Sequence, residues 1–133
     1  MGARITENEF GIIDIHRDVL ARLVVDKIAD MDAFVVPCNK KGKPLKRKMF
    51  SIDDLENAVD VKINNRNEIT VRVYLLSRFG ESINQISNEL FDSIESEFEK
   101  LSIAKPKTIT AYIKGVMAKQ IIERNIEVTR HNG

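Results

Sequence analysis

Ile83, Ile86, Leu90, Ile94, Phe98 and Leu101 recur every three or four residues behind Ser82, the spacing of a single apolar face on an α-helix. A stripe of that length needs a broad apolar surface to lie on, and the sequence supplies one on either side of it. Before it, "VDVKI" and "EITVRVYLL" alternate Val59, Val61 and Ile63, then Ile69, Val71, Val73 and Leu75, with polar residues. This is the period of half-buried strands joined as a hairpin. After it, "TITAYIKGVM" alternates Ile109, Ala111 and Ile113 before Gly115. Gln85, three positions after Ser82, completes the pattern of a capping box.

The first part of the chain repeats the logic. "FGIIDI" reads as a strand running into a helix that carries Val19, Leu20, Leu23, Val24, Ile28 and Met31, with Asp18 in the first turn where the helix dipole favours an acid. "AFVVP" reads as a short strand closed by Pro37. Asn64, Asn65 and Asn67 suit the hairpin turn because Asn tolerates left-handed backbone angles. The predicted fold is α+β: a two-layer sandwich in which a mixed sheet of about four strands carries two long helices on one face, in the order β-α-β-β-α-β. At 133 residues the whole chain, 1–133, fits one domain that buries roughly two-thirds of its unfolded surface.

Between the short strand and the hairpin, 38–58 reads as a long variable loop whose opening, "NKKGKPLKRK", holds six of the 21 basic residues and no acid. The remainder of the chain is net acidic, so any affinity for polyanions rests on Lys40, Lys41, Lys43, Lys46, Arg47 and Lys48. These six are the candidate anion or partner contacts. A solvated loop, a contact with protein or anionic lipid, and a contact with nucleic acid all fit such a run. Recognition of bases also needs exposed rings; Tyr74 and Phe79 are the candidates, although rings on strands usually belong to the core. "SIDDLENA" offers Ser51 and Asp54 as the cap of one helical turn.

Chemistry has few candidates. His16 near a helix start, His131 in a terminal triplet and the single Cys38 lack the neighbours of a catalytic constellation. No Cys or His spacing suits zinc, and "KKGKP" lacks the first Gly and the hydroxyl of a phosphate loop. No enzyme activity, metal or cofactor is expected. The chain has no apolar run long enough to span a bilayer and no signal sequence at its start, which predicts a cytoplasmic protein. The pattern of Gly2 and Thr6 is too loose to carry an acyl anchor. The extension 118–133 keeps Ile121, Ile122, Ile126 and Val128. It is too apolar for a disordered end and is expected to pack on its own domain, as helix or strand.

"GIIDIHRDVLARLVVDKIADMD", the hairpin-to-helix stretch "VDVKINNRNEITVRVYLLSRFGESINQISNELFDSIESEFEKL" and "TITAYIKGVM" together resemble the alkaline-shock-protein family of bacterial envelope-stress proteins. His16 stands where that family usually has Ser, Phe79 and Gly80 where it has Tyr-Gly, and Asn84 where it has Pro. Its Met-Thr-Gly is replaced around Leu101 to Lys105, so the chain looks like a divergent member. The resemblance implies a non-enzymatic scaffold or adaptor, a homo-oligomer acting in envelope homeostasis, peripheral to the membrane through a membrane-anchored partner protein. It carries over no catalytic residues. The edges expected to support self-association are "AFVVP" and "TITAYIKGVM". The alternative is a small nucleic-acid-binding α+β module that uses the basic loop.

Overall fold

The computed structural model describes residues 2–8, 11–45, 57–78 and 82–132. Two strands, β1 (Gly2–Asn8) and β2 (Gly11–His16), pair antiparallel with each other in a two-stranded ribbon. The expected first strand is therefore present as β2, yet its partner is β1 and not the larger sheet. Closing a hairpin across so few residues costs little loop entropy.

Helix α1 (Arg17–Asp30) buries Leu20, Ala21, Val24, Val25 and Ile28. At about 100° per residue these define an arc centred near Ile28, and Val19, on the opposite side, is exposed. Leu23 and Met31 sit at the margin of the arc, partly buried against the core.

The main sheet is built around β5 (Ile69–Arg78). β6 (Thr108–Met117) runs parallel to it, and β7 (Ile121–His131) lies antiparallel on the far side of β6. The other edge of β5 is shared end to end: β3 (Val35–Pro37) pairs with Leu75–Ser77 and β4 (Val59–Ile63) with Ile69–Val73. The sheet is mixed, open and five-stranded. The α+β class, the two helices and the order of the central elements stand as expected. The fifth strand comes from the C-terminal extension, which pairs along the whole of β6. That pairing moves "TITAYIKGVM" from the expected edge of the sheet to its interior, and β7 takes the edge position instead.

Helix α2 (Ile83–Lys100) connects β5 to β6. Ser82 caps it, its hydroxyl accepting from the Gln85 N–H at 3.5 Å. Gln85 completes only half of the capping box, because its own side chain donates forward to Glu89. At the other end the Ile103 N–H donates to the Phe98 carbonyl and the Ser102 N–H to Glu99, with Ser102 at φ 58°. This is a Schellman closure with Ser at the left-handed position usually held by Gly. Leu101, the last member of the apolar stripe, is the C-cap residue and is exposed.

Both helices lie on one face of the sheet. Phe91 and Phe98 of α2 are fully buried with Leu20 and Ile28 of α1, over Ile69, Val71, Val73 and Leu75 of β5 and Ile109, Ala111 and Ile113 of β6. Each of the larger of these side chains contributes on the order of 1.5–3 kcal/mol by leaving water. The β4–β5 turn is organised by Asn64, whose carboxamide oxygen accepts from the Arg66 and Glu68 N–H groups, and Asn67 adopts φ 60°.

Candidate functional site

The face of the sheet turned away from the helices carries the start of the basic run. After β3 the Cys38 N–H donates to the Tyr74 carbonyl at 3.0 Å, continuing the pairing with β5. The chain then folds back on itself. The Asn39 N–H donates to the Lys43 carbonyl and the Gly42 N–H to the Asn39 carbonyl, each at 2.9 Å, while the Asn39 side-chain oxygen accepts from the Lys41 and Lys43 N–H groups. Gly42 sits at φ +84°, so Lys40, Lys41 and Gly42 form a three-residue hairpin loop with its glycine in the left-handed position. Cys38 and Pro44 are bridged at its base. The opening of the expected loop is thus a pinned hairpin that holds Lys40, Lys41 and Lys43 in the solvent.

The hairpin lies across the ends of β5 and β6. A Cβ placed on Gly42 would stand 3.3 Å from the Lys114 Cβ. Lys41, Gly42, Lys43, Lys114, Ile121 and Glu123 line a groove of ≈ 290 Å³ there. Three lysines thus meet at one groove with a single carboxylate. Beneath the hairpin Cys38 and Leu76 are fully buried, and burial pushes the Cys38 thiol up to about 12, a shift that nearby Lys114 only partly opposes. A thiol held protonated in this way is no nucleophile.

Tyr74 and Tyr112 stand side by side on the same face, their rings stacked with centroids 5.1 Å apart. The Lys40 ammonium lies 5.9 Å from the Tyr74 centroid. One face of each ring is therefore already occupied by the other, and Tyr74 has a cation over it as well. This arrangement differs from a base-stacking platform, where ring faces lie open to solvent.

Of the six cations expected to act together, the structure brings Lys40, Lys41 and Lys43 onto one hairpin. Lys46, Arg47 and Lys48 lie outside the described residues, as do Phe79, the Ser51–Asp54 cap and the His16 side chain. His131 is exposed near the end of β7. Sequence reasoning missed Lys114 and Ile121. Lys114 is the extra residue of a bulge, where β6 skips from Ile113 to Gly115 while β5 passes directly from Leu75 to Leu76. Gly115 was the only local signal: a Cβ there would meet Ile121 Cγ2 at 2.9 Å and the Ile122 carbonyl at 3.0 Å.

The acidic face of α2 is also more than a solvated surface. Glu95 is buried, and the Arg130 guanidinium of β7 donates to it at 3.1 Å and to Asp92 at 2.7 Å. Asn132 donates to the other Glu95 oxygen and to the Pro106 carbonyl. Glu97 pairs with Lys27 of α1 at 3.1 Å. Of the five acids on α2, only Glu89 and Glu99 have no cross-element ion pair among the described residues.

Among the described residues, no group of three or more His, Cys, Asp and Glu is placed to hold a metal, and no helix is long and apolar enough to cross a membrane. Residues 5–118 match the model of the alkaline-shock-protein family, described by a cell envelope-related function. The chain belongs to that family. The match ends before Ile121, so β7 lies beyond it. Neither a curated protein nor a solved structure matches the chain.

Proposed function

We propose that this chain is a self-associating scaffold or adaptor of the cell envelope that works by binding and performs no chemistry of its own. The observation that supports the reading is β7. It is 11 residues long, it ends the sheet, and among the described residues no strand covers its outer edge. Its side chains are exposed or only partly buried throughout. Unpaired backbone groups along such an edge template another strand. Two copies meeting across a two-fold axis would extend one sheet through both, or a partner protein would add a strand in the same way.

The edge is not blunted by proline, and its inward-pointing charge, Arg130, is already satisfied by α2. Cys38 is sealed under the hairpin, so the one thiol is withdrawn from covalent chemistry. A membrane-anchored partner would bring the assembly to the envelope.

Sedimentation velocity over a wide concentration range tests the reading, combined with hydrogen exchange of the β7 amides. Self-association predicts a rising sedimentation coefficient together with new protection at those amides of Glu123–His131 that do not face β6. A monomer at all concentrations, with alternate β7 amides exchanging freely, would refute assembly through this edge.

A further inference from the structure

We infer that the end of the sheet where β6 turns into β7 is a docking surface for anionic lipid bilayers, independent of strand pairing along β7. Three observations converge there. The hairpin delivers exposed Lys41 and Lys43 to the groove completed by Lys114. The β6–β7 turn adds exposed Lys119. Beside these cations Ile121, which lines the groove, remains 42% exposed, one of the few large apolar side chains left in water among the described residues. Glu123 is the single acid lining the groove.

Cations alone would serve any polyanion, and Ile121 decides between partners. A branched apolar side chain gains nothing from a phosphate or a base edge. At the boundary between headgroups and acyl chains it leaves water while neighbouring lysines meet the negative surface. The alternative use of this face, stacking of nucleic-acid bases, is opposed by the Tyr74–Tyr112 pair, whose rings cover one another. The bulge at Lys114 and the close approach of Gly115 to Ile121 hold the two halves of the surface together, so little ordering remains to be done on binding.

The test is co-sedimentation of the full chain with vesicles made of equal parts phosphatidylglycerol and phosphatidylcholine, and with phosphatidylcholine alone. The wild type is expected on the charged vesicles only, with recovery falling as salt rises. Lys41→Glu, Lys43→Glu and Lys119→Glu together change three exposed side chains outside the core. They should lower partitioning by at least about a hundredfold, taking about fivefold per lysine near a charged bilayer. Ile121→Ser should lower it about fivefold while retaining the salt dependence. Equal recovery on neutral vesicles, or a charge-reversed variant that binds like wild type, would overturn the assignment. So would retention of a single-stranded RNA that charged vesicles fail to displace.

Discussion

Arg130→Ala should be the most informative single change, because Arg130 fastens the strand that lies beyond the family match to the helix on the other layer. Its guanidinium donates to Glu95 at 3.1 Å, to Asp92 at 2.7 Å and to the Asn88 side chain at 3.0 Å, and lies 5.4 Å from the Phe91 centroid. Burial works against its charge, yet the two carboxylates more than offset this and hold its pKa above the ordinary value. The contributions differ in weight. Asp92 is largely exposed, and a pair of that kind is worth roughly 0 to 1 kcal/mol. Glu95 is only 8% exposed, and a charge-assisted hydrogen bond to such a group is worth about 1.5–3 kcal/mol. The contact with Phe91 adds about 0.5–1 kcal/mol. Asn132 still donates to Glu95 in the variant, so the loss should fall near the lower part of the summed range, about 2–3 kcal/mol. For a domain of this size that lowers the melting temperature by roughly 6–12 °C.

The assay is thermal and urea unfolding of Arg130→Ala, Glu95→Ala and the double variant. The cycle should return a coupling of about 1.5 kcal/mol or more, and β7 amides should exchange faster in Arg130→Ala than those of β5. A melting temperature within a degree or so of wild type, or a double variant whose loss equals the sum of the singles, would refute the claim that this contact pins β7.

Other expectations follow from single positions. Ser102→Gly should stabilise the protein by up to about 1 kcal/mol, because Ser102 sits at φ 58° in the helix closure where only glycine is unstrained; an unchanged or lowered denaturation midpoint would contradict this. Gly115→Ala should cost about 1–3 kcal/mol, since its Cβ would press on Ile121 and the Ile122 carbonyl, and a neutral result in urea titration would show that the bulge yields. Cys38, whose thiol rises from 9.0 to about 12, should resist thiol reagents in the native protein. Between those two values the unfolded chain has lost the thiol proton and the folded one keeps it, so this group makes stability fall as pH rises above about 9. Cys38→Ala should flatten that alkaline slope, and an unaltered slope would assign it elsewhere.

The reach of sequence reasoning can be traced element by element. β5 was legible because Ile69, Val71, Val73 and Leu75 alternate cleanly and all face the helices. α2 was legible because its stripe and its Ser82 cap are both local. β7 was not, since Ile121 and Ile122 are adjacent and the next inward residue after Ile126 and Val128 is a charged one, Arg130. Its partners on α2 lie 35 and 38 positions earlier. For the same reason nothing local sets Glu95 apart from the other four acids of α2. In the basic run the six cations were plain to see, but Asn39 and Gly42 as the hinge of a hairpin were not, because that role depends on hydrogen bonds across the fold-back.

What the sequence determined by itself is the periodic part: two amphipathic helices, the central strands they cover, the turn at Asn64–Asn67 and the excess of positive charge after Pro37. These depend on spacings within one turn of helix or a few residues of strand, which the order of residues states directly. What only the tertiary structure decided is where the sheet ends and what the charge sits beside. β7 closes over β6, Arg130 meets Glu95, and the lysine hairpin meets Ile121 because segments far apart in the chain are brought to one edge of the sheet. No local periodicity encodes such a meeting.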